Sequence, residues 1–347
     1  LKPFCVSWHA QATAMASGRE VNFVGRPIDS QDPRVDPVAF RCLTDRYHVI
    51  LEDAQKRGHH VEKDPMLTLD PEGLVCRYLI AEDNDAAKAE ARLRATIDWR
   101  QRWNILEYHR PGEAQRLFTE SSNPGAEMYF ADSLHADRHG QPYIVGRACL
   151  LNAENIHPWN HLRAGIYVVE QLALKVLQSR CGYGSYILDV SDVERAGTVS
   201  GTGGGPGKRH ESRNPHFARG AGADAPKALL QEFGALNSGL AVLRAAIRIG
   251  TEYYPEFLSH IVFLRPNVLF STFFKIFRVW FHPRTRNKLR MLGGWAHPPV
   301  ARLDQWYDRQ QLPAEFGGEG WCLEHDAFLR SALDAYASGA ARQSCSR

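Results

Sequence analysis

The sequence lacks the features typical of secreted or membrane-spanning proteins. Its seven cysteines are scattered and form no Cys-x-x-Cys pair, a pattern that fits free thiols in a reducing compartment better than a disulfide framework. No apolar run reaches the length of about 20 residues that a membrane-spanning helix needs. No basic-then-apolar signal sequence opens the chain. Together these absences predict a cytoplasmic protein.

A strong net charge is also missing. The chain has 42 Lys and Arg residues against 39 Asp and Glu residues, which leaves a net charge of +3. So weak an overall field does not favour nucleic acid as a partner. Any attraction to a phosphate or to a membrane must therefore come from a local cluster of charges.

Motifs for catalysis, metals and cofactors are absent as well. The chain has no Gly-x-Ser-x-Gly elbow and no paired carboxylates at a useful spacing. The Gly-rich run at 201–208 does not fit a phosphate-binding loop, because Thr202 stands where a glycine is required and Arg209 follows Lys208. One pair of adjacent histidines has no evident third ligand. We therefore expect no enzyme, no metal and no cofactor.

The most distinctive stretch that is present is an apolar run from Val268 to Phe281. It contains no Gly or Pro, and Lys275 and Arg278 are its only charges. A helix over this run would be apolar around most of its circumference, whereas a helix on a protein surface has one apolar stripe. The run predicts a helix that is either buried in the core or in contact with a lipid-like ligand.

A basic turn follows the apolar run. Pro283 ends the predicted helix, and five polar residues then fall within seven positions: Arg284, Thr285, Arg286, Lys288 and Arg290. An apolar helix could contact acyl chains, and a basic turn could donate charge-assisted hydrogen bonds to a phosphate. The two together have the composition of a phospholipid site.

The order of elements predicts an α/β protein. We expect helices at 38–56, 67–81, 85–103, 162–179 and 236–253, and strands at 127–131, 142–145, 184–190, 259–264 and 289–292. Strands that alternate with helices favour a mostly parallel sheet.

The composition divides the chain into regions. Residues 1–37 are predicted to be irregular and loosely docked, 38–110 a helical bundle, and 120–318 an α/β domain. A Gly-rich flexible insertion is predicted at about 195–225, because its composition cannot bury enough apolar area to order itself. Residues 319–347 form a tail.

Five motifs then follow one another at a characteristic spacing. They are Tyr254-Pro-Glu-Phe257, Ile261-Val-Phe-Leu-Arg-Pro266, the apolar helix, His282-Pro-Arg-Thr-Arg-Asn-Lys288 and Leu312-Pro-Ala-Glu-Phe-Gly-Gly318. In this order they resemble the CRAL-TRIO family of lipid-binding proteins, over a stretch from about Leu67 to Gly318. The resemblance implies an N-terminal helical bundle followed by a mostly parallel sheet whose helices enclose a lipid pocket.

The resemblance also implies a ligand. The family's positions for the phosphatidylinositol headgroup fall on Glu256, Thr285 and Lys288, whereas a fourth position, basic in the family, is Glu82 here. The family's phosphatidylcholine positions match worse; the basic residue after the glutamate, for example, is Phe257 here. Phosphatidylinositol is therefore the expected ligand, and Glu82 is a doubtful headgroup position.

In the family, the apolar helix is the gate of the pocket. Six aromatic residues of this chain are predicted to line the pocket or gate: Phe270, Phe273, Phe274, Phe277, Trp280 and Phe281. The predicted function is exchange of a phospholipid between membranes, with transient contact to a membrane surface. The alternatives are a module that senses or presents lipid for a partner such as a lipid kinase, and a carrier of another hydrophobic ligand.

Overall fold

A computed structural model describes residues 26–109, 128–130, 136–147, 158–190, 239–266, 268–280, 283–293 and 300–319 of the chain. The α-helices are α1 (Pro37–Lys56), α2 (Pro65–Thr68), α3 (Pro71–Ala81), α4 (Ala86–Arg102), α5 (Pro158–Ser179), α6 (Gly239–Tyr253), α7 (Val268–Phe277), α8 (Pro283–Asn287) and α9 (Val300–Leu303). The strands are β1 (Met128–Phe130), β2 (Tyr143–Arg147), β3 (Gly184–Asp189), β4 (Leu258–Leu264) and β5 (Leu289–Leu292). Short 3-10 helices lie at Val61–Lys63, Ile105–His109, Arg278–Trp280, Arg309–Gln311 and Ala314–Phe316.

Aspartates cap the helices of the N-terminal bundle. The side chain of Asp36 accepts from the first backbone amides of α1, Asp70 caps α3, and Asp85 caps α4. Such caps satisfy amides that have no partner within the helix. In α1 and α3, a proline at the first helical position adds a favourable φ.

The bundle packs directly onto the α/β domain. Trp99 of α4 stacks on Tyr253 at the end of α6, with ring centroids 4.3 Å apart. Both rings are buried in one apolar core that extends from the N-terminal segment to Phe257. The two parts of the fold are therefore held together by shared apolar burial as well as by polar contacts.

The five strands form one sheet in the order β1-β2-β3-β4-β5. Strand β1 pairs antiparallel with β2, and the pairs β2–β3, β3–β4 and β4–β5 are parallel. The prediction of a mostly parallel sheet flanked by helices is confirmed. A turn lies between β1 and β2, where Gly140 has φ +73° and its amide donates to the carbonyl of Asp137 at 2.9 Å.

The two faces of the sheet have different neighbours, because successive side chains of a strand point to opposite sides. On one face, Ile187 and Val262 pack against the C-terminal residues Tyr307, Leu312 and Phe316. On the other face, Phe263 of β4 packs against α7, along with Leu188, Ile261 and Met291. The sequence-predicted gate helix therefore covers one side of the sheet only.

Two expectations are wrong in detail. Residues 26–36 contain no regular element, but they are not loosely docked, since Ile28 is 3% exposed and Val35 4% exposed. Apolar side chains thus anchor this segment to the bundle. Helix α7 ends at Phe277 and continues as the 3-10 turn Arg278–Trp280. The predicted helix to Phe281 was therefore too long.

Several predictions lie outside the described residues. These are the Gly-rich insertion, the tail beyond residue 319, the first 25 residues and Phe281. The limits of the predicted domains stay predictions. In the described parts of the chain, no helix is both long and apolar enough to cross a membrane.

Candidate functional site

Helix α7 is fixed to the sheet by an aromatic cluster. The ring centroid of Phe263 on β4 lies 5.5 Å from that of Phe270 and 5.1 Å from that of Phe274. Phe274 is 8% exposed, while Lys275 points to solvent. The helix therefore has one side that binds the sheet and a charged side that does not.

The sheet face beside this cluster is apolar and only partly covered. Leu188, Ile261 and Met291 come from three neighbouring strands, and each is half-buried. Partly covered apolar side chains in the interior of an α/β fold offer contact surface to an apolar ligand. This face is the part of the site that would suit acyl chains.

The polar part of the site is an ion pair between Glu256 and Lys288. Glu256 lies in the turn between α6 and β4, and Lys288 lies between α8 and β5. The distance from Lys288 Nζ to Glu256 Oε2 is 2.8 Å, with side chains 22% and 10% exposed, respectively. The backbone carbonyl of Lys288 accepts from the amide of Ile261 at 2.8 Å, which ties the pair to the sheet.

The charge of Lys288 acts on the pKa of Glu256. Burial alone would raise the pKa of this carboxyl, but the attraction of Lys288, together with Arg34 and Arg77, holds it below its ordinary value. The carboxylate is therefore ionised at neutral pH. An ionised carboxylate is an acceptor only, so it suits hydroxyl donors and repels a phosphate.

Arg77 of α3 holds the backbone of the Glu256 turn. Glu256 has φ +56°, a left-handed conformation that is uncommon for a residue with a side chain. Nη1 of Arg77 donates to the carbonyl of Glu256. The helical bundle thus stabilises the turn that carries one of the predicted headgroup residues.

The surroundings of Arg77 are unusual for a cation. The residue is 1% exposed, and its guanidinium carbon lies 4.4 Å from the ring centroid of Phe257. Among the residues that the structure describes, its Nε has no hydrogen-bond partner. Burial lowers its pKa to about 10, which still leaves it protonated at neutral pH. A buried charge with an unsatisfied donor costs folding free energy, which calls for a functional explanation.

A second aromatic ring lies near two other cations of the site. The guanidinium carbon of Arg34 and Nζ of Lys288 each lie 5.6 Å from the ring centroid of Tyr183. Arg34 also donates to the Tyr183 hydroxyl and pairs with Asp32 at 2.5 Å. No sequence pattern identifies Arg34, because its segment is irregular and Tyr183 lies 149 residues away in the chain.

Glu82 is engaged with a partner of its own. Its carboxylate accepts from Nη1 of Arg92 at 2.6 Å, and Arg92 also donates to the carbonyls of Glu252 and Thr251 at the end of α6. Glu82 therefore helps to join the bundle to α6. Its charge is compensated by Arg92, so it does not act as a lone anion near the predicted headgroup site.

The other predicted residues are placed as follows. Thr285 is half-buried in α8, and its carbonyl accepts from the amide of Lys288 at 3.0 Å. Arg284, in the same helix, donates to the carbonyl of Ile80 and to the carboxylate of Asp83. Of the predicted gate residues, the structure does not describe the side chains of Phe273, Phe277 and Trp280, and Phe281 lies wholly outside the described residues.

A buried polar network that the sequence did not reveal joins the bundle to α5. Arg100 makes two hydrogen bonds to Asp64, at 2.6 and 2.7 Å, and two to Glu170, at 2.6 and 2.8 Å. Glu170 also accepts from the Tyr254 hydroxyl at 2.7 Å and lies 3.1 Å from Nε2 of His109. The three groups come from distant parts of the chain, so no local pattern could predict the network.

Burial would raise the pKa of Glu170, but Arg100 holds it well below the ordinary value. Within the described residues, no group of three or more His, Cys, Asp or Glu side chains is placed to hold a metal ion. The network therefore links the N-terminal bundle to α5 by buried hydrogen bonds and ion pairs.

Comparisons with known proteins agree with this architecture. Residues 230–318 match the family model of the CRAL/TRIO domain. Among solved structures, the crystal structure of Sfh5, a yeast protein, superposes with a TM-score of 0.51 at 14% sequence identity, covering 85% of this chain and 90% of Sfh5. At that identity the likeness shows the fold alone. No curated protein matches the chain in sequence.

Proposed function

Because this chain carries a CRAL/TRIO domain at residues 230–318, as the sequence resemblance predicts, we propose that it binds a phospholipid, phosphatidylinositol in particular, and exchanges it between membranes. The observation that carries the proposal is the ion pair of Glu256 and Lys288, whose Nζ and Oε2 atoms are 2.8 Å apart. It supports a headgroup site, because the two side chains offer complementary groups for one ligand. Lys288 can donate to a phosphate, and Glu256 can accept from inositol hydroxyls.

An arriving headgroup would exchange one set of partners for another. A phosphate oxygen would replace the Glu256 carboxylate as acceptor for Lys288, and a sugar hydroxyl would replace Lys288 as donor to Glu256. Neither group would be left buried without a partner, which is the main cost in binding a polar group. A lipid without hydroxyls would leave Glu256 unpaired, so the pair supports selectivity for an inositol headgroup.

The acyl chains need an environment of a different kind. Taking them out of water is worth about 0.8 kcal/mol per CH₂, but in a bilayer they are already shielded from water. A carrier must therefore offer a cavity about as apolar as a membrane. The half-buried face of Leu188, Ile261 and Met291, with the aromatic cluster of α7 beside it, supports this role.

Contact with a membrane is supported by a local charge asymmetry. From Phe257 to Leu303 the chain has eight Lys and Arg residues and no Asp or Glu. Lys275 and Arg278 of this stretch are exposed, and Val279 beside them is 62% exposed. Basic residues next to an exposed apolar side chain suit the surface of a membrane that contains anionic lipids.

The experiment is a transfer assay between two populations of vesicles with the purified full chain. We expect transfer of labelled phosphatidylinositol that falls about tenfold or more in Lys288→Ala, because a charge-assisted hydrogen bond is lost. Lys88→Ala removes the same charge from the exposed surface of α4 and should leave transfer unchanged. Absence of phosphatidylinositol binding and transfer in the wild-type protein would refute the proposed function.

A further inference from the structure

Four cations around the candidate headgroup site are paired with carboxylates. Lys288 pairs with Glu256 at 2.8 Å, Arg34 with Asp32 at 2.5 Å, and Arg92 with Glu82 at 2.6 Å. Arg284 pairs with Asp83. Each of these cations therefore has a carboxylate in direct contact, and each pair is close to neutral as a unit.

Arg77 differs from these four cations. Within the described residues, no carboxylate contacts its guanidinium, its hydrogen-bond acceptor is the backbone carbonyl of Glu256, and its Nε has no acceptor. Asp70 is a more distant charge, and its carboxylate already caps the amide of Gly73 at the positive end of α3. Unlike the four paired cations, Arg77 has no carboxylate among the described residues that balances its charge by contact.

The position of this charge is next to the ligand site. Arg77 lies against the backbone of Glu256, and its charge is among those that hold the Glu256 carboxyl ionised. The side chain is 1% exposed, so water screens it poorly. A poorly screened charge acts on its neighbours over several ångströms, and a ligand phosphate at Lys288 would fall within this field.

The aromatic rings at the site are already occupied by protein cations. The guanidinium carbon of Arg77 lies 4.4 Å from the ring centroid of Phe257. Arg34 and Lys288 each lie 5.6 Å from the ring centroid of Tyr183. A choline group is held by the faces of aromatic rings, and at these two rings a quaternary ammonium would meet a resident positive charge.

From this charge balance we infer that Arg77 is a specificity-determining residue, which matches the site to a lipid headgroup with a single net negative charge. A phosphodiester without a cationic group, as in phosphatidylinositol, would balance the charge of Arg77. Phosphatidylcholine would leave the charge of Arg77 unbalanced, because its choline cancels its own phosphate. A phosphoinositide with an additional phosphomonoester would bring an excess of about −1.5 to −2. The inference rests on the proposed function and adds the physical reason why the site would prefer one lipid headgroup to another.

The test compares affinities of one protein for three lipids, so that general damage to the fold cancels. The full chain is titrated into three lipids that have the same labelled acyl chain, and the affinity for each is measured. The lipids are phosphatidylinositol, phosphatidylcholine and phosphatidylinositol 4-phosphate. The wild-type protein should prefer phosphatidylinositol to both others. In Arg77→Gln the ratio of phosphatidylinositol to phosphatidylcholine affinity should fall about tenfold, as expected for loss of one nearby charge.

Two further variants separate charge from packing. Arg77→Lys keeps the charge and should retain most of the ratio, although its hydrogen bonds differ. Glu256→Gln makes the site more positive and should shift the preference toward phosphatidylinositol 4-phosphate; it also keeps the test decisive if Arg77→Gln does not fold. The control Arg46→Gln removes an exposed cation of α1, 57% exposed, and should leave both ratios unchanged.

The outcomes distinguish the inference from the function on which it rests. Unchanged ratios in both Arg77→Gln and Glu256→Gln would overturn the role of charge balance while lipid binding stands. Equal wild-type affinity for phosphatidylinositol and phosphatidylcholine would overturn it as well. Failure of the wild-type protein to bind any of the three lipids would instead refute the proposed function.

Discussion

The guanidinium of Arg100 and the carboxylate of Glu170 form two hydrogen bonds, 2.6 and 2.8 Å long, in the interior of the protein. Arg100 belongs to the N-terminal bundle and Glu170 to helix α5 of the α/β domain. Their side chains are 3% and 0% exposed. This ion pair links the two parts of the fold in addition to their shared apolar core. Removal of either partner would leave the other charge buried with fewer partners.

Removal of one partner should be costly. In Glu170→Gln, Arg100 keeps Asp64 but loses half of its charged acceptors, and we expect the free energy of unfolding to fall by about 3 kcal/mol. Denaturant titration followed by circular dichroism measures this change. Arg46→Ala breaks an exposed pair with Glu90 and should cost about 1 kcal/mol or less. Equal effects of the two variants would contradict a structural role for Glu170.

Stability should decline between pH 6.5 and about 4 because of His260. Burial lowers the pKa of this imidazole from 6.5 to about 4. In that interval the unfolded chain binds a proton that the folded chain does not, so the free energy of unfolding falls as the pH is lowered, by about 3 kcal/mol from this group. The ring lies 2.9 Å from the Ser259 hydroxyl and 3.1 Å from the Tyr307 hydroxyl.

Unfolding titrations at several pH values test this prediction. His260→Gln should flatten the profile in this interval, whereas His48→Gln, at an exposed position of α1, should leave its slope as it is. A profile in His260→Gln with the wild-type slope would show that other groups cause the decline.

Reversal of the charge at position 82 should not improve lipid binding. The Glu82 carboxylate lies 2.6 Å from Nη1 of Arg92, so Glu82→Arg would replace an attraction by a repulsion and lower the free energy of unfolding by about 1 kcal/mol. We expect unchanged or weaker affinity for phosphatidylinositol. Glu52→Arg makes the same change at an exposed position of α1 and serves as the control. A clear gain in affinity specific to Glu82→Arg would mean that the carboxylate repels the headgroup.

The aromatic residues of the gate should divide into two groups. Phe274 packs against Phe263 and is 8% exposed, so Phe274→Ala should destabilise the fold by about 3 kcal/mol. Phe277→Asp is predicted from the sequence to abolish transfer while the circular dichroism spectrum stays unchanged. Val38→Asp, at a position of α1 that is 66% exposed, should affect neither quantity. Full transfer by Phe277→Asp would remove the gating role from that residue.

Transfer should depend on the charge of the membrane. Reversal of two exposed cations, in the double variant Lys275→Glu and Arg278→Glu, should slow transfer from vesicles that contain anionic lipid by more than about tenfold, since each basic residue near such a surface contributes about 1 kcal/mol. Vesicles without anionic lipid should show little difference between the variant and the wild type. The same reversal at Lys88 should have no effect. If the variant transfers lipid equally slowly with neutral vesicles, the charges of Lys275 and Arg278 do not act through attraction to anionic lipid.

The sequence by itself determined the architecture and the ligand hypothesis. Periodicity and capping residues such as Asp85 depend on neighbours within a few positions, so the helices and strands could be predicted, with errors of a few residues at ends such as that of α7. The five ordered motifs from Tyr254 to Gly318 predicted the fold class, because family spacing is a property of the linear chain. The positions Glu256, Thr285 and Lys288 came from that resemblance as well.

Only the tertiary structure decided how the charges of the site are paired. Glu82 could be compared with a family position from sequence, but its partner Arg92 and the distance of 2.6 Å between them are set by how two helices pack. The isolation of Arg77 is likewise invisible in the sequence, where Glu72 and Glu82 are its nearest acidic residues. Electrostatic energies depend on distance and burial in three dimensions, and a linear pattern of charges contains neither quantity.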